Sequence, residues 1–137
     1  MDRFVKAFIF MSIVYLMTSS LIGVAMLSNS RYLPLKFVHS HLMLLGWVSM
    51  MIYGVGYHIL PRFAGRVLKS RAVAVLQFWT ANVGLLGMLG FYLAAYYEPQ
   101  SAGTYRTLSA AFGGLEVFSI ALFVYNMIAT IYTKAPE

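Results

Sequence analysis

Three histidines are the whole supply of imidazole in this 137-residue chain, and all fall on one apolar segment: His39-Ser40-His41, then His58 near its far end. A polar ring in hydrocarbon needs a partner, so an ionisable residue inside a membrane segment marks a functional site by default. Two rings separated by one residue, on a segment flanked by Lys36 and Arg62, have the type and spacing of cofactor ligands. On a helix, His39 and His41 point about 200° apart, onto nearly opposite faces. They cannot hold one metal together without unwinding the helix, so each addresses its own neighbouring cavity. A bis-histidine haem needs two imidazoles on opposite sides of one iron. If both rings bind haem, the second ligand comes from another chain, and the protein is an oligomer or part of a complex. The competing reading is that both rings lie near the membrane surface and only meet water. His58 lies roughly 25 Å or more further along the axis. There it can reach water or headgroups, which gives it a structural or interfacial role.

The elements that must position these rings are set by composition. Of the residues, 61% are hydrophobic and 10% charged, and the mean hydropathy is +0.75. Globular averages run near ~45–50% apolar and ~25% charged, so a soluble domain could not hide this surface. Four apolar stretches, 4–27, 37–60, 72–96 and 107–132, each exceed the roughly 20 residues that cross about 30 Å of hydrocarbon. Continuous runs of this length satisfy their backbones in lipid as helices. The expectation is an all-α membrane protein with four transmembrane helices, up-and-down, in one domain over 1–137. The second span should stop at Pro61, which cannot continue a helix. Tyr32, Tyr57, Trp79, Tyr96, Tyr97, Tyr105 and Tyr132 gather near span ends as interfacial belts do. The first stretch is too long for the apolar core of a signal peptide and reads as a mature span.

The net charge of +6 reads as topology, not as a nucleic-acid footprint. Arg3, Lys6, Arg62, Arg66, Lys69, Arg71 and Lys134 fall at the termini and in the second loop, whereas Arg31, Lys36 and Arg106 fall in the first and third. The positive-inside rule then puts both termini in the cytoplasm. The absence of cysteine excludes disulfides, thiolate metal sites, iron–sulfur clusters and haem attached through C-x-x-C-H. Gly84, Gly87 and Gly90, with Gly113-Gly114, mark close helix contacts, although the same gap could admit a flat macrocycle. Gln77, Asn82 and Asn126 read as interhelical hydrogen bonds. Glu116 is the one acid well inside a span. A charged carboxylate there is costly, so it is expected to be protonated, paired or facing a cavity. It could bond a ligand imidazole, a helix carbonyl, or a proton path.

The stretch His39-Ser40-His41-Leu42-Met43-Leu44-Leu45-Gly46-Trp47, followed by Gly54 to Gly65, resembles subunit I of the haem-copper oxidase and nitric oxide reductase superfamily. The register agrees at His39, His41, Gly54, His58, Pro61, Phe63 and Gly65, over about 40 residues. Elsewhere the likeness is architectural: the chain looks like one four-helix unit, a third of the family's twelve-helix pseudo-threefold subunit. The resemblance implies that His39 matches the axial ligand of the high-spin haem or, in another alignment, a low-spin haem ligand. His41 matches the low-spin ligand of the H-x-H pair. Identical units in place of the family's arcs would clamp haem b between His39 of one protomer and His41 of its neighbour, as metal ligands to the iron. The family's copper histidines have no counterpart here, so dioxygen reduction by this chain alone is not expected.

Arg31, Lys36 and Arg106, at the level of His39, could pair with haem propionates; simple interface anchoring competes. The reading is a homo-oligomeric membrane cytochrome b of a prokaryotic inner membrane, a homotrimer or else a dimer. It would carry electrons from a quinol or cytochrome donor. The alternatives are an enzyme that binds or reduces nitric oxide or dioxygen at an open haem position, and an assembly or scaffold subunit without a cofactor.

Overall fold

The computed structural model describes residues 1–132; Lys134 and the polar tail of the sequence reading lie outside the described residues. Four helical segments, Arg3–Ser28, Ser30–Phe63, Arg71–Tyr97 and Pro99–Tyr132, are long and apolar enough to cross a membrane. They are called the first to fourth helix below. Short turns make neighbours antiparallel. Ser19 meets His39 across the first pair, Tyr57 meets Gln77 across the second, and Ser119 meets Gln77 across the third.

Within the spans, polar side chains are buried and large apolar ones face outward. The fourth helix buries Glu116, Ser119, Asn126 and Thr130 in one stripe. Its outward positions include Val117, Phe118, Val124, Tyr125 and Ile128. The first helix likewise buries Ser12, Tyr15 and Ser19 beside Phe8 and exposes Phe10, Met17, Leu21, Val24 and Leu27. Between the two stripes lies an edge-to-face aromatic cluster. Phe8 meets Phe78 with centroids 5.1 Å apart, Phe4 meets Tyr57 at 5.5 Å and Tyr57 meets Phe123 at 5.2 Å. All four helices contribute a ring.

Two local features depart from the sequence expectation. The second helix starts as a 3₁₀ turn over Ser30–Leu35, where the Asn29 side chain accepts the Arg31 N–H at 2.8 Å. It then runs past Pro61 to Phe63. Pro61 removes only its own N–H, and the next turn keeps its bonds, Ala64 N–H to Leu60 O among them. The stop is Gly65, at φ +62°. Gly65 N–H bonds Arg62 O at 3.1 Å and Arg66 N–H bonds Pro61 O at 2.8 Å, the paired carbonyl capping of a Schellman end. Tyr57 also departs from expectation: it is buried at 4% exposure, not part of an interfacial belt, because its hydroxyl donates to Gln77 Oε1 inside the bundle.

The second helix widens to a π-helix over Leu42–Ser49, directly after His41. Such segments are rare and concentrate at functional sites. Here the wide turn carries Gly46, where a Cβ would come within 2.8 Å of Tyr15 Cβ. About two turns on, a Cβ at Gly54 would meet Ile9 at 2.8 Å. Of the glycines expected at helix contacts, Gly84 lies against the Glu116 backbone and Gly87 against the Phe112 ring, whereas Gly90 and Gly114 face open space.

Replacing Gly46 by Ala should therefore overpack the first helix against the second and cost about 1–3 kcal/mol. Gly90→Ala, with nothing to strike, should stabilise by up to about 1 kcal/mol through helix propensity. Thermal unfolding in detergent separates the two, and shifts of equal size and sign would contradict this packing.

Candidate functional site

His39 and His41 are half-buried at the end of the bundle formed by the first and third turns. Each ring is held by a main-chain carbonyl. Nδ1 of His39 lies 2.9 Å from Ser19 O. A carbonyl can only accept, so this contact is a hydrogen bond when Nδ1 carries the proton; Ser19 Oγ lies 3.0 Å from the same nitrogen. Ser19 returns the contact, its Oγ–H donating to His39 O at 2.9 Å. Nδ1 of His41 lies 2.9 Å from Phe37 O, one turn back on the same helix, and the same logic makes it the donor. With the ring proton on Nδ1 in each case, Nε2 is left as the lone pair. This is the orientation that outer hydrogen bonds impose on metal-bound histidine.

The two rings face separate grooves, as their spacing requires. His39 lies in a groove of about 570 Å³ with Gly23, Val24, Leu27, Leu33 and Lys36. A Cβ on Gly23 would press to 3.0 Å from His39 Cε1, so this glycine is the seat of the ring. His41 opens onto a groove of about 430 Å³ with Leu33, Pro34, Lys36 and Tyr92. Its ring packs on Phe37 at 3.9 Å, and Phe37 stacks on Tyr92 at 4.1 Å. Both volumes fall in the range of about 300–1,000 Å³ typical of small-molecule and cofactor pockets. Mainly apolar walls, one free imidazole nitrogen and a cation are donors suited to an amphipathic macrocycle with a metal at its centre.

Among the expected anion partners, Lys36 lines both grooves. Arg106 lies in an adjoining recess beyond Tyr92, with Ala95 and Tyr96. Arg31 is exposed in the 3₁₀ turn and is not among the residues that line either histidine groove. His58 is held differently. Arg62 Nη1 donates to its Nδ1 at 2.8 Å and also to its carbonyl oxygen, which leaves the proton on Nε2. Glu116 touches none of these rings; among the described residues its carboxyl has no hydrogen-bond partner, neither an imidazole nor a helix carbonyl. No three histidine or acidic side chains gather into a metal-holding group among the described residues.

The sequence reading missed Ser19, Gly23 and the Phe37–Tyr92 stack. The available signal was the small-residue face Ser12, Ser19 and Gly23 on the first helix, which marks where a partner side chain can lie flat. No protein-family model matches the chain, and no curated protein is significantly similar to it.

The assignment of protons has a direct check. Nitrogen-15 NMR of histidine-labelled protein above the imidazole titration range should give two Nδ1–H rings and one Nε2–H ring. Ser19→Ala keeps the carbonyl acceptor and should leave that pattern intact, whereas three Nε2–H rings would remove the basis for free Nε2 atoms at His39 and His41.

Proposed function

We propose that this chain is a multi-pass membrane cytochrome b, with haem b bridging adjacent copies through Nε2 of His39 on one side and Nε2 of His41 on the other. The observation that carries the reading is the contact of each Nδ1 with a main-chain carbonyl, Ser19 O and Phe37 O, in two histidines that line two different grooves. Divergent faces also bear on symmetry. In a twofold dimer both faces must meet the same neighbour, whereas a head-to-tail ring gives each face a different one. The smallest such ring is a trimer. Each interface would then hold one haem, with Lys36 and Arg106 as the cations for its propionates.

With both axial positions taken by imidazole, the haem supplies one-electron redox chemistry without an open site for a gas. A quinol or cytochrome would be the electron donor. In this reading the bundle spans a prokaryotic inner membrane. The cation-rich end with Arg3, Lys6, Arg62, Arg66, Lys69 and Arg71 faces the cytoplasm, and the salt bridge of Arg71 with Asp2 at 3.9 Å puts the amino terminus at that same end.

Purified protein should be red, with a low-spin b-type spectrum that carbon monoxide does not shift, and about one haem per protomer by native mass spectrometry. His39→Ala and His41→Ala should each lose most of the haem, and His58→Ala should keep it. Co-expression of the two deficient variants discriminates further. A mixed ring brings an intact His39 against an intact His41 at some interfaces, so part of the haem returns. No recovery on mixing would exclude ligation between copies, and full haem in either single variant would reject the ligand assignment.

A further inference from the structure

Away from the histidine end, a second set of groups lies wholly inside the protein. Glu116 is 2% exposed and Gln77 0%. Among the described residues, neither carboxyl oxygen of Glu116 has a hydrogen-bond partner, and neither does Gln77 Nε2. The carboxyl lies against Gly84, whose Cβ would sit 3.2 Å from Oε2. The titratable groups facing it are Tyr15 from the first helix and Tyr53 from the second. The third helix offers Gly84 there, and no cationic side chain acts on the carboxyl. An uncompensated buried charge is far costlier than a neutral acid, and a neutral acid without an acceptor is itself an unsatisfied donor.

A file of polar side chains lies between the neighbourhood of this acid and the end of the bundle at Ser70, without bonding the carboxyl itself. Asn126 Oδ1 accepts the Ser70 N–H at 3.1 Å, and its Nδ2 donates to Ser70 O at 2.8 Å. The Tyr57 hydroxyl lies against Asn126 and donates to Gln77 Oε1 at 2.6 Å. Ser119 Oγ, one turn from Glu116, donates to Gln77 O at 3.2 Å. From Asn126 to Glu116 is about 15 Å of helix. An all-apolar face would have packed the same helices, so this much buried polarity calls for a reason.

We propose that Glu116 is a proton-exchange site in the interior of the bundle, reached from the Ser70 end along Asn126, Tyr57, Gln77 and Ser119. The proposal is independent of haem. The ligand is a proton: the Glu116 O–H bond breaks, its proton passes to water that enters along this polar file, and the carboxylate regains one from water by the same route. The net exchange is carboxylic acid plus water for carboxylate plus hydronium. Ser119 donates to Gln77 O and Tyr57 to Gln77 Oε1, so these side chains line the file and water in it carries the proton.

Infrared difference spectroscopy of the full chain in vesicles tests this. The wild type should show the carbonyl stretch of a buried, protonated carboxylic acid, shifted promptly when the medium changes to heavy water. Glu116→Gln should abolish that band with the helical signal kept. Tyr57→Phe, which removes one hydrogen-bonded link, should slow the shift by about tenfold. A band that stays unshifted in the folded wild type, or that survives Glu116→Gln, overturns the proposal. An unchanged rate in Tyr57→Phe overturns the route. Should Tyr57→Phe not fold, the wild-type exchange decides alone.

Discussion

Two backbone carbonyls, Ser19 O and Phe37 O, hold the rings of His39 and His41, and much of the bundle's upper half follows from that need. In apolar surroundings an imidazole N–H must find its acceptor within the protein. His41 finds one in its own helix. His39 finds one only because the first helix passes at hydrogen-bonding distance, and that approach relies on small residues. Gly23 lies beneath the ring itself, Gly46 beneath Tyr15 and Gly54 beneath Ile9. The contact is reciprocal, since the Ser19 hydroxyl satisfies a lone pair on His39 O. Two chain segments twenty residues apart thereby fix one another.

The π-helix couples this end to the rest. Its wider turn begins one residue after His41, and Ser49 Oγ donates to Leu44 O at 2.9 Å to serve a carbonyl in the loosened stretch. Tyr15 fits over Gly46 in that turn and reaches across the bundle, where its hydroxyl donates to Asn82 Oδ1 at 2.6 Å. Asn82 in turn donates to Phe78 O at 2.7 Å, beside the aromatic cluster. The first, second and third helices are tied at this level by hydrogen bonds as well as by packing. A regular α-helix would have turned Gly46 away from Tyr15. The irregular winding is therefore part of how the interior is closed.

The four helices were legible in the sequence because continuous hydropathy over twenty or more residues has few other solutions. The divergence of His39 and His41 was legible too, because both lie in the regular α-helical part, Lys36–His41. Gln77, Asn82 and Asn126 could be read as interhelical partners from their type and setting alone. What stayed hidden was decided by pairing between helices. Tyr57 lies near a span end by position, yet Gln77 and Asn126 hold its hydroxyl inside. Pro61 suggests a stop, but the chain ends its helix where Gly65 can turn left-handed. The π-segment has no pattern in one dimension, since it answers to Tyr15 from another helix. Ser19 carries its meaning only once the first helix lies beside His39.

The free Nε2 atoms set the remaining constraint on the protomer. Their grooves are walled by Val24, Met26, Leu27, Leu33 and Pro34, and a lipid chain offers no donor to such an acceptor. Both rings are half-buried, and where water is excluded an acceptor without a partner carries a cost. One protomer cannot remove that cost within itself, because the rings point apart and His58 lies at the opposite end of the second helix. Lys36, exposed between the two grooves, can extend its ammonium to the membrane surface while its stem lines both. Each groove is thus lined by one imidazole and by the shared Lys36 side chain. A bound anion at the ammonium and an electrophilic centre at the imidazole would satisfy both at once, and a carboxylate-bearing macrocycle with iron at its centre carries these two groups.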